Sequence, residues 1–113
     1  MLKQGDIVLI PIPFSDLSSS KRRPVMVLSN TRYNQKTSDF VVAAITSNLE
    51  EKQYTILITK DDLAEGELKV SSQIRADKLY TLSQDIIVKR FGCVKEQFIE
   101  DVKEQIYKLF DEK

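Results

Sequence analysis

The sequence predicts a mainly β chain of the α+β class: a small, strongly bent antiparallel sheet or barrel with a C-terminal amphipathic helix. Three observations predict it. Short runs rich in Val, Ile and Phe follow one another at close spacing, bounded by Pro, Gly or polar turn residues. From Lys95 the spacing of apolar residues changes to that of a helix. The 113 residues, 42% hydrophobic and 30% charged, suffice for one core without disulfides, so residues 1–113 are read as a single domain.

Taken in order, Ile7-Val8-Leu9-Ile10 begins directly after Gly5-Asp6 and stops at Pro11 and Pro13, which suits a strand near a sheet edge. Residues 15–23 include Asp16, Ser18, Ser19, Ser20, Lys21, Arg22 and Arg23; they are too polar for core and too short for an interdomain linker, and read as a loop. Residues 24–29 predict a second, buried strand with proline at its first position, where a missing N–H is tolerated. Residues 40–46 are almost continuously apolar, as a strand covered on both faces would be, and residues 54–58 predict a fourth strand. Residues 69–75 and 86–91 are further strand candidates, with 78–82 between them as a short helix or turn. Phe98, Ile99, Val102, Ile106, Leu109 and Phe110 recur at steps of one, three and four, the stripe of a helix that caps a sheet.

Composition excludes whole classes of chemistry. Histidine is absent, so a Ser-His-Asp triad, a His-based acid–base pair, a His-ligated zinc and a Cys-His nucleophile cannot be assembled within one chain. Cys93, the only cysteine, has no partner for a disulfide or a metal site and reads as a packing residue of a protein from a reducing compartment. The first apolar run is too short and too interrupted by proline for a signal peptide or a membrane span, which points to the cytoplasm.

Lys+Arg and Asp+Glu both total 17, yet the charges are unevenly placed. Up to Lys36, the basic Lys3, Lys21, Arg22, Arg23, Arg32 and Lys36 face only Asp6 and Asp16; from Phe91 onward Glu96, Glu100, Asp101, Glu104, Asp111 and Glu112 outnumber Lys95, Lys103, Lys108 and Lys113. A neutral protein can therefore present a basic face. The Lys21-Arg22-Arg23 cluster suits contact with a phosphate backbone, although composition alone favours a solvated loop kept soluble by charge.

Gly5-Asp6-Ile7-Val8, Arg23-Pro24-Val25-Met26-Val27-Leu28, Ala43-Ala44-Ile45-Thr46-Ser47 and Ser72-Gln73-Ile74-Arg75 stand in an order and spacing that resembles the MazF/PemK family of toxin endoribonucleases, from Gly5 to the terminal helix. The resemblance implies an SH3-like, CcdB/MazF-type barrel that forms a homodimer. It implies cleavage of single-stranded RNA, mRNA included, without metal or cofactor, leaving a 2′,3′-cyclic phosphate and a 5′-hydroxyl, and silencing by an acidic antitoxin peptide. The nucleophile is then the RNA's own 2′-hydroxyl, a chemistry that needs positioning and charge stabilisation but no histidine.

Carried over onto this sequence, the family's catalytic arginine falls on Arg23 and its catalytic threonine on Thr46, with Lys21, Arg22, Ser47, Gln73 and Arg75 as RNA-binding candidates. A guanidinium presents a planar fork of donors to phosphate oxygens and stays protonated; a threonine hydroxyl donates a neutral hydrogen bond but is a poor base unaided. Outside the family context, Arg23 would be one loop charge and Thr46 a strand end bonding its own backbone. The chain departs from the family in its shorter loop before Arg23, and Ser72 and Val70 stand where some relatives have an acidic residue and an extra arginine. The general base is thus unassigned, with Asp16 and Asp77 as carboxylates that could help. Two other readings remain at this stage: a non-catalytic SH3-like module that binds RNA or protein, and a CcdB-like gyrase inhibitor, whose aromatic C-terminal anchor contains a tryptophan that this chain lacks.

Overall fold

The computed structural model describes residues 1–11 and 22–112. Its elements are β1 (Asp6–Pro11), β2 (Arg22–Val27), α1 (Thr31–Lys36), β3 (Asp39–Thr46), β4 (Thr55–Ile58), β5 (Leu63–Gly66), β6 (Ser72–Ser83), β7 (Lys89–Val94) and α2 (Glu96–Phe110), with short 3-10 turns at Lys60–Asp62 and Gln84–Ile86. The strands form one curled antiparallel sheet in the order β4-β6-β3-β2-β1-β7-β5.

Side chains alternate across a pleat, and this sheet is apolar on both sides. Ile7, Met26, Ala43, Ile45, Ile58 and Ile74 enter one core together with Phe98, Ile99 and Val102 of α2. Val8, Ile10, Val25, Val27, Phe40 and Val42 form a second core on the other face, with Leu2, Tyr80, Leu82, Ile86 and Ile87 packed against it. β3 supplies Phe40 and Val42 to one and Ala43 and Ile45 to the other, which accounts for its continuous apolarity.

The longest strand, β6, carries the main irregularity. Its pairing with β3 steps from Leu79 opposite Ala43 to Arg75 opposite Ala44, so residues 76–78 bulge out of the ladder. The bulge changes which face each side chain takes: Leu79 packs on the α2 core, whereas Arg75, also odd-numbered, pairs with Ala44 beside the core residue Ile74. Residues 78–82, expected as a short helix or turn, are therefore strand; their polar start marks the bulge. Only Ser72 onward of the expected 69–75 strand is extended, and the expected 86–91 strand begins at Lys89, after the 3-10 turn.

Other expectations also need correcting. β1 is not near an edge but lies between β2 and β7; Pro11 ends the strand. Arg22 and Arg23 belong to β2, opposite Pro11 and Ile10, and Pro24 is its third residue, tolerated because the ladder to β3 begins only at Val25. α1 and β5 carried no pattern strong enough to predict them. The α2 stripe is real at Phe98, Ile99 and Val102, and Ile106 packs beside them, but Phe110 is 75% exposed. Cys93 is half-buried in β7, opposite Asp6.

The far edge is held by a charged clamp and a glycine crossing. Asp6, 1% exposed, accepts a hydrogen bond from the Lys3 backbone N–H at 2.9 Å and lies 3.1 Å from Arg90 Nε, while Arg90 also donates to both Glu65 oxygens at 3.1 and 3.2 Å. These bonds raise the Arg90 pKa and hold the Glu65 carboxyl below its ordinary range. Gly66, at φ +91°, and Gly92 cross with backbones in contact: a Cβ on Gly66 would collide with the Phe91 carbonyl oxygen, and one on Gly92 would lie 2.5 Å from the Glu65 carbonyl oxygen. We expect Gly66→Ala to cost roughly 2 kcal/mol or more of unfolding free energy, measured by urea denaturation, because left-handed backbone and a backbone collision both oppose the methyl group. An unchanged urea midpoint would contradict the crossing.

Candidate functional site

At one end of the sheet the second face stops being apolar. On β3, Phe40 and Val42 are followed on the same face by Ala44 and Thr46; on β6, Arg75 lies opposite Ala44 and Gln73 opposite Thr46. Ile45 and Ile74 pair between them and point the other way, into the α2 core. Thr46, Gln73 and Arg75 thus meet in a small cavity of about 40 Å³, lined also by Asn48 and Lys52. That is room for a hydroxyl or a phosphate oxygen, not for a base.

Each group there has a defined state. Thr46 Oγ1 accepts a hydrogen bond from the Asn48 backbone N–H at 3.1 Å, which fixes the oxygen and leaves the hydroxyl proton to donate. Gln73 Oε1 is buried without a hydrogen-bond partner among the described residues. Whichever end of the amide occupies that position, a buried polar atom is left for a ligand to satisfy. Arg75 donates from Nε to Asp77 Oδ1 at 2.8 Å and from Nη2 to Asp77 Oδ2 at 2.7 Å. The Arg75 guanidinium holds the Asp77 carboxyl below the usual carboxylate range, and the same bonds raise the Arg75 pKa.

Arg23 approaches from β2. It pairs with Ile10, a residue of the second core, at the strand end beyond the last β2–β3 pair, Val25 opposite Ala44. It is exposed and also borders a larger cleft of about 540 Å³ on the opposite side of the sheet end. The lining of that cleft combines apolar Leu9, Pro24, Ile45 and Phe91 with a mainly basic set of Arg22, Arg23, Lys69 and Lys89, together with the acid Glu67. Ser47 lines the cleft rather than the cavity, so the expected site residues divide between two adjoining recesses: Arg22, Arg23 and Ser47 in one, Thr46, Gln73 and Arg75 in the other. Lys21 and Asp16 lie outside the described residues. Lys52, Asn48, Lys69 and Lys89 were not expected; none carries a local motif, and only the tertiary fold brings them to these recesses. No group of three or more His, Cys, Asp or Glu side chains able to hold a metal occurs among the described residues.

The curled sheet with its C-terminal helix is that of the MazF-like toxins. A MazE–MazF complex from Deinococcus radiodurans matches with a TM-score of 0.78 at 20% identity, over 96% of this chain and 95% of the other. The Mycobacterium tuberculosis toxin MazF-mt6 matches with a TM-score of 0.75 at 19% identity, over 94% and 96%. A mycobacterial endoribonuclease in complex with its cognate antitoxin matches with a TM-score of 0.75 at 14% identity, over 97% and 95%. At such identities the likeness is one of fold. No curated protein matches the chain by sequence. The family of PemK-like, MazF-like toxins of type II toxin-antitoxin systems matches residues 3–110, and the chain belongs to it. No helix among the described residues is long and apolar enough to cross a membrane.

The Arg75–Asp77 pair sets a pH dependence whose sign is fixed. A carboxyl lowered in the folded state contributes stability that is fully present above the ordinary carboxylate range and is lost as the pH falls through the lowered value. The pair is partly exposed, so its contribution is about 1 kcal/mol or less. Titration of the Asp77 side chain by NMR is expected to give a midpoint below the usual range, returning to it in Arg75→Ala; a midpoint indifferent to Arg75 would contradict the pairing.

Proposed function

We propose that this toxin is an endoribonuclease that cuts single-stranded RNA, mRNA included, by attack of the RNA's own 2′-hydroxyl on the adjacent phosphate. The observation that carries the reading is the polar end of the β2-β3-β6 face, where Thr46, Gln73 and Arg75 share a hydroxyl-sized cavity next to the cleft that Arg23 borders. Solved structures of the same fold include proteins described as endoribonucleases.

The reaction removes the 2′-hydroxyl proton as the 2′-oxygen bonds to phosphorus, breaks the bond from phosphorus to the 5′-oxygen and returns a proton to that oxygen, leaving a 2′,3′-cyclic phosphate and a 5′-hydroxyl with no net gain or loss of protons. Charge accumulates on the non-bridging oxygens in the transition state. The guanidinium of Arg23 and the hydroxyl proton of Thr46 are the donors we assign to that charge, and donors of this type lower the barrier without a metal. Gln73 supplies a buried amide suited to a ribose hydroxyl, the group that distinguishes RNA from DNA. Asp77 is unsuited to act as the base, because both its oxygens hold Arg75 and its carboxyl is already lowered. Arg22, Lys69 and Lys89 around the cleft would take flanking phosphates.

The same mainly basic and apolar lining fits an acidic antitoxin peptide that folds as it binds and so excludes RNA. We place the protein in the cytoplasm as a homodimer of one domain over residues 1–113.

Purified protein with an unstructured RNA in excess chelator is expected to give fragments ending in 2′,3′-cyclic phosphate and beginning with 5′-hydroxyl. Arg23→Ala and Thr46→Ala should each lower kcat/KM by about 10²-fold or more. Cleavage abolished by chelator would contradict the mechanism, and full activity in both variants would contradict the site.

A further inference from the structure

Arg75 and Asp77 flank Ala76 in the bulge of β6, the stretch that β3 leaves unpaired. The partners of Arg75 on its two neighbouring strands are Ala44 and Thr55, both small, which leaves the guanidinium space beside the sheet. Asp77 occupies the Nε and Nη2 edge of that guanidinium with two bonds of 2.8 and 2.7 Å. A guanidinium has five N–H donors in a plane, so this leaves both hydrogens of Nη1 and one of Nη2 unclaimed by the carboxylate. Arg75 lines the cavity with Thr46 and Gln73, and Lys52 adds a second cation there. The arrangement is a cation held by its back edge, with its free edge left for an anion.

We propose that Asp77 is a positioning residue: by fixing Arg75 across the β6 bulge, it presents the guanidinium's free edge to an RNA phosphate beside Thr46 and Gln73. The inference rests on the RNA reading above and deepens it, since it assigns to Asp77 a role distinct from acid–base chemistry. An arginine already ordered in the free protein loses little rotamer freedom when the phosphate arrives, and its planar fork keeps one orientation. A merely structural ion pair would close the bulge without affecting RNA, and a general base would titrate with activity.

A double-mutant cycle separates these roles. Arg75→Ala, Asp77→Ala, Asp77→Asn and the double Ala variant are compared for cleavage of a labelled oligoribonucleotide across pH, and for binding of its 2′-fluoro analogue, which lacks the nucleophile. We expect Arg75→Ala and Asp77→Ala each to weaken binding and raise KM about tenfold, the scale of one charge-assisted hydrogen bond. The double variant should be no worse than Arg75→Ala alone. Asp77→Asn keeps the shape if the alanine variant folds poorly; it should lose part of the binding and leave the acid limb of the kcat profile where it was.

Wild-type cleavage and binding in Asp77→Ala and Asp77→Asn would overturn the inference while leaving the RNA reading intact. So would effects that multiply in the double variant, or loss of the acid limb in Asp77→Asn. A wild-type protein that neither binds nor cuts RNA would overturn the RNA reading itself, and the inference with it.

Discussion

The bulge at residues 76–78 of β6 is the constraint on which the rest of the site depends. Without it, side chains alternating along a strand of 12 residues would keep one phase from end to end. With it, Leu79 packs on the α2 core while Arg75, four residues earlier, shares the face of Ala44 and Thr46. Asp77, inside the bulge, binds Arg75 with both carboxylate oxygens, so the interruption of the ladder and the placement of the cation are a single event. β3 has no matching break, and its own sequence makes the transition from core to site by replacing Phe40 and Val42 with Ala44 and Thr46.

A sheet with cores on both faces has few places for polar chemistry, and this one confines it to the end where strands β2, β3 and β6 run out of apolar partners. The opposite edge does the work of closure. Arg90 joins buried Asp6 of β1 to Glu65 of β5, and truncating it would leave Asp6 as a buried charge without its counter-ion. The Gly66–Gly92 crossing brings β5 against β7, and β7 in turn supplies Lys89 and Phe91 to the cleft beside Arg23. Stability at that edge and the shape of the basic cleft are thus coupled through one strand.

Much of this was legible in the sequence, for physical reasons that differ by element. β1, β3 and α2 announced themselves because burial requires long apolar runs or a helical stripe; Arg23, Thr46, Gln73 and Arg75 stood out only through motifs that resemble those of the MazF/PemK family. β6 was misread because a bulge inserts Asp77 and Lys78 into a strand, and polar residues in that pattern look like a turn. The assignment of Arg22 and Arg23 to a loop failed similarly: at an exposed strand end, charge says nothing about backbone conformation. α1 is only six residues long, capped by the Asn30 side chain and tied down by Asn34, whose side-chain amide donates to the Leu2 and Ser29 carbonyls. The bond to Leu2 joins residues 32 apart and has no local signature, and the Asn30 cap alone is too weak a signal for so short a helix. Lys52, Lys69 and Lys89 escaped notice because the tertiary fold, not local sequence, brings Lys52 to the cavity and Lys69 and Lys89 to the cleft.

The central claim is that RNA meets this protein at the polar end of the β2-β3-β6 face. The most direct measurement is an NMR titration of isotope-labelled protein with a 2′-fluoro oligoribonucleotide, following backbone amides and arginine Nε–H groups. The largest shifts are expected on Arg23, Thr46, Gln73 and Arg75, with smaller ones around Lys69 and Lys89. Shifts concentrated instead on the groove between Lys3, Glu65, Gln97 and Glu100, with Thr46 and Gln73 unmoved, would contradict it.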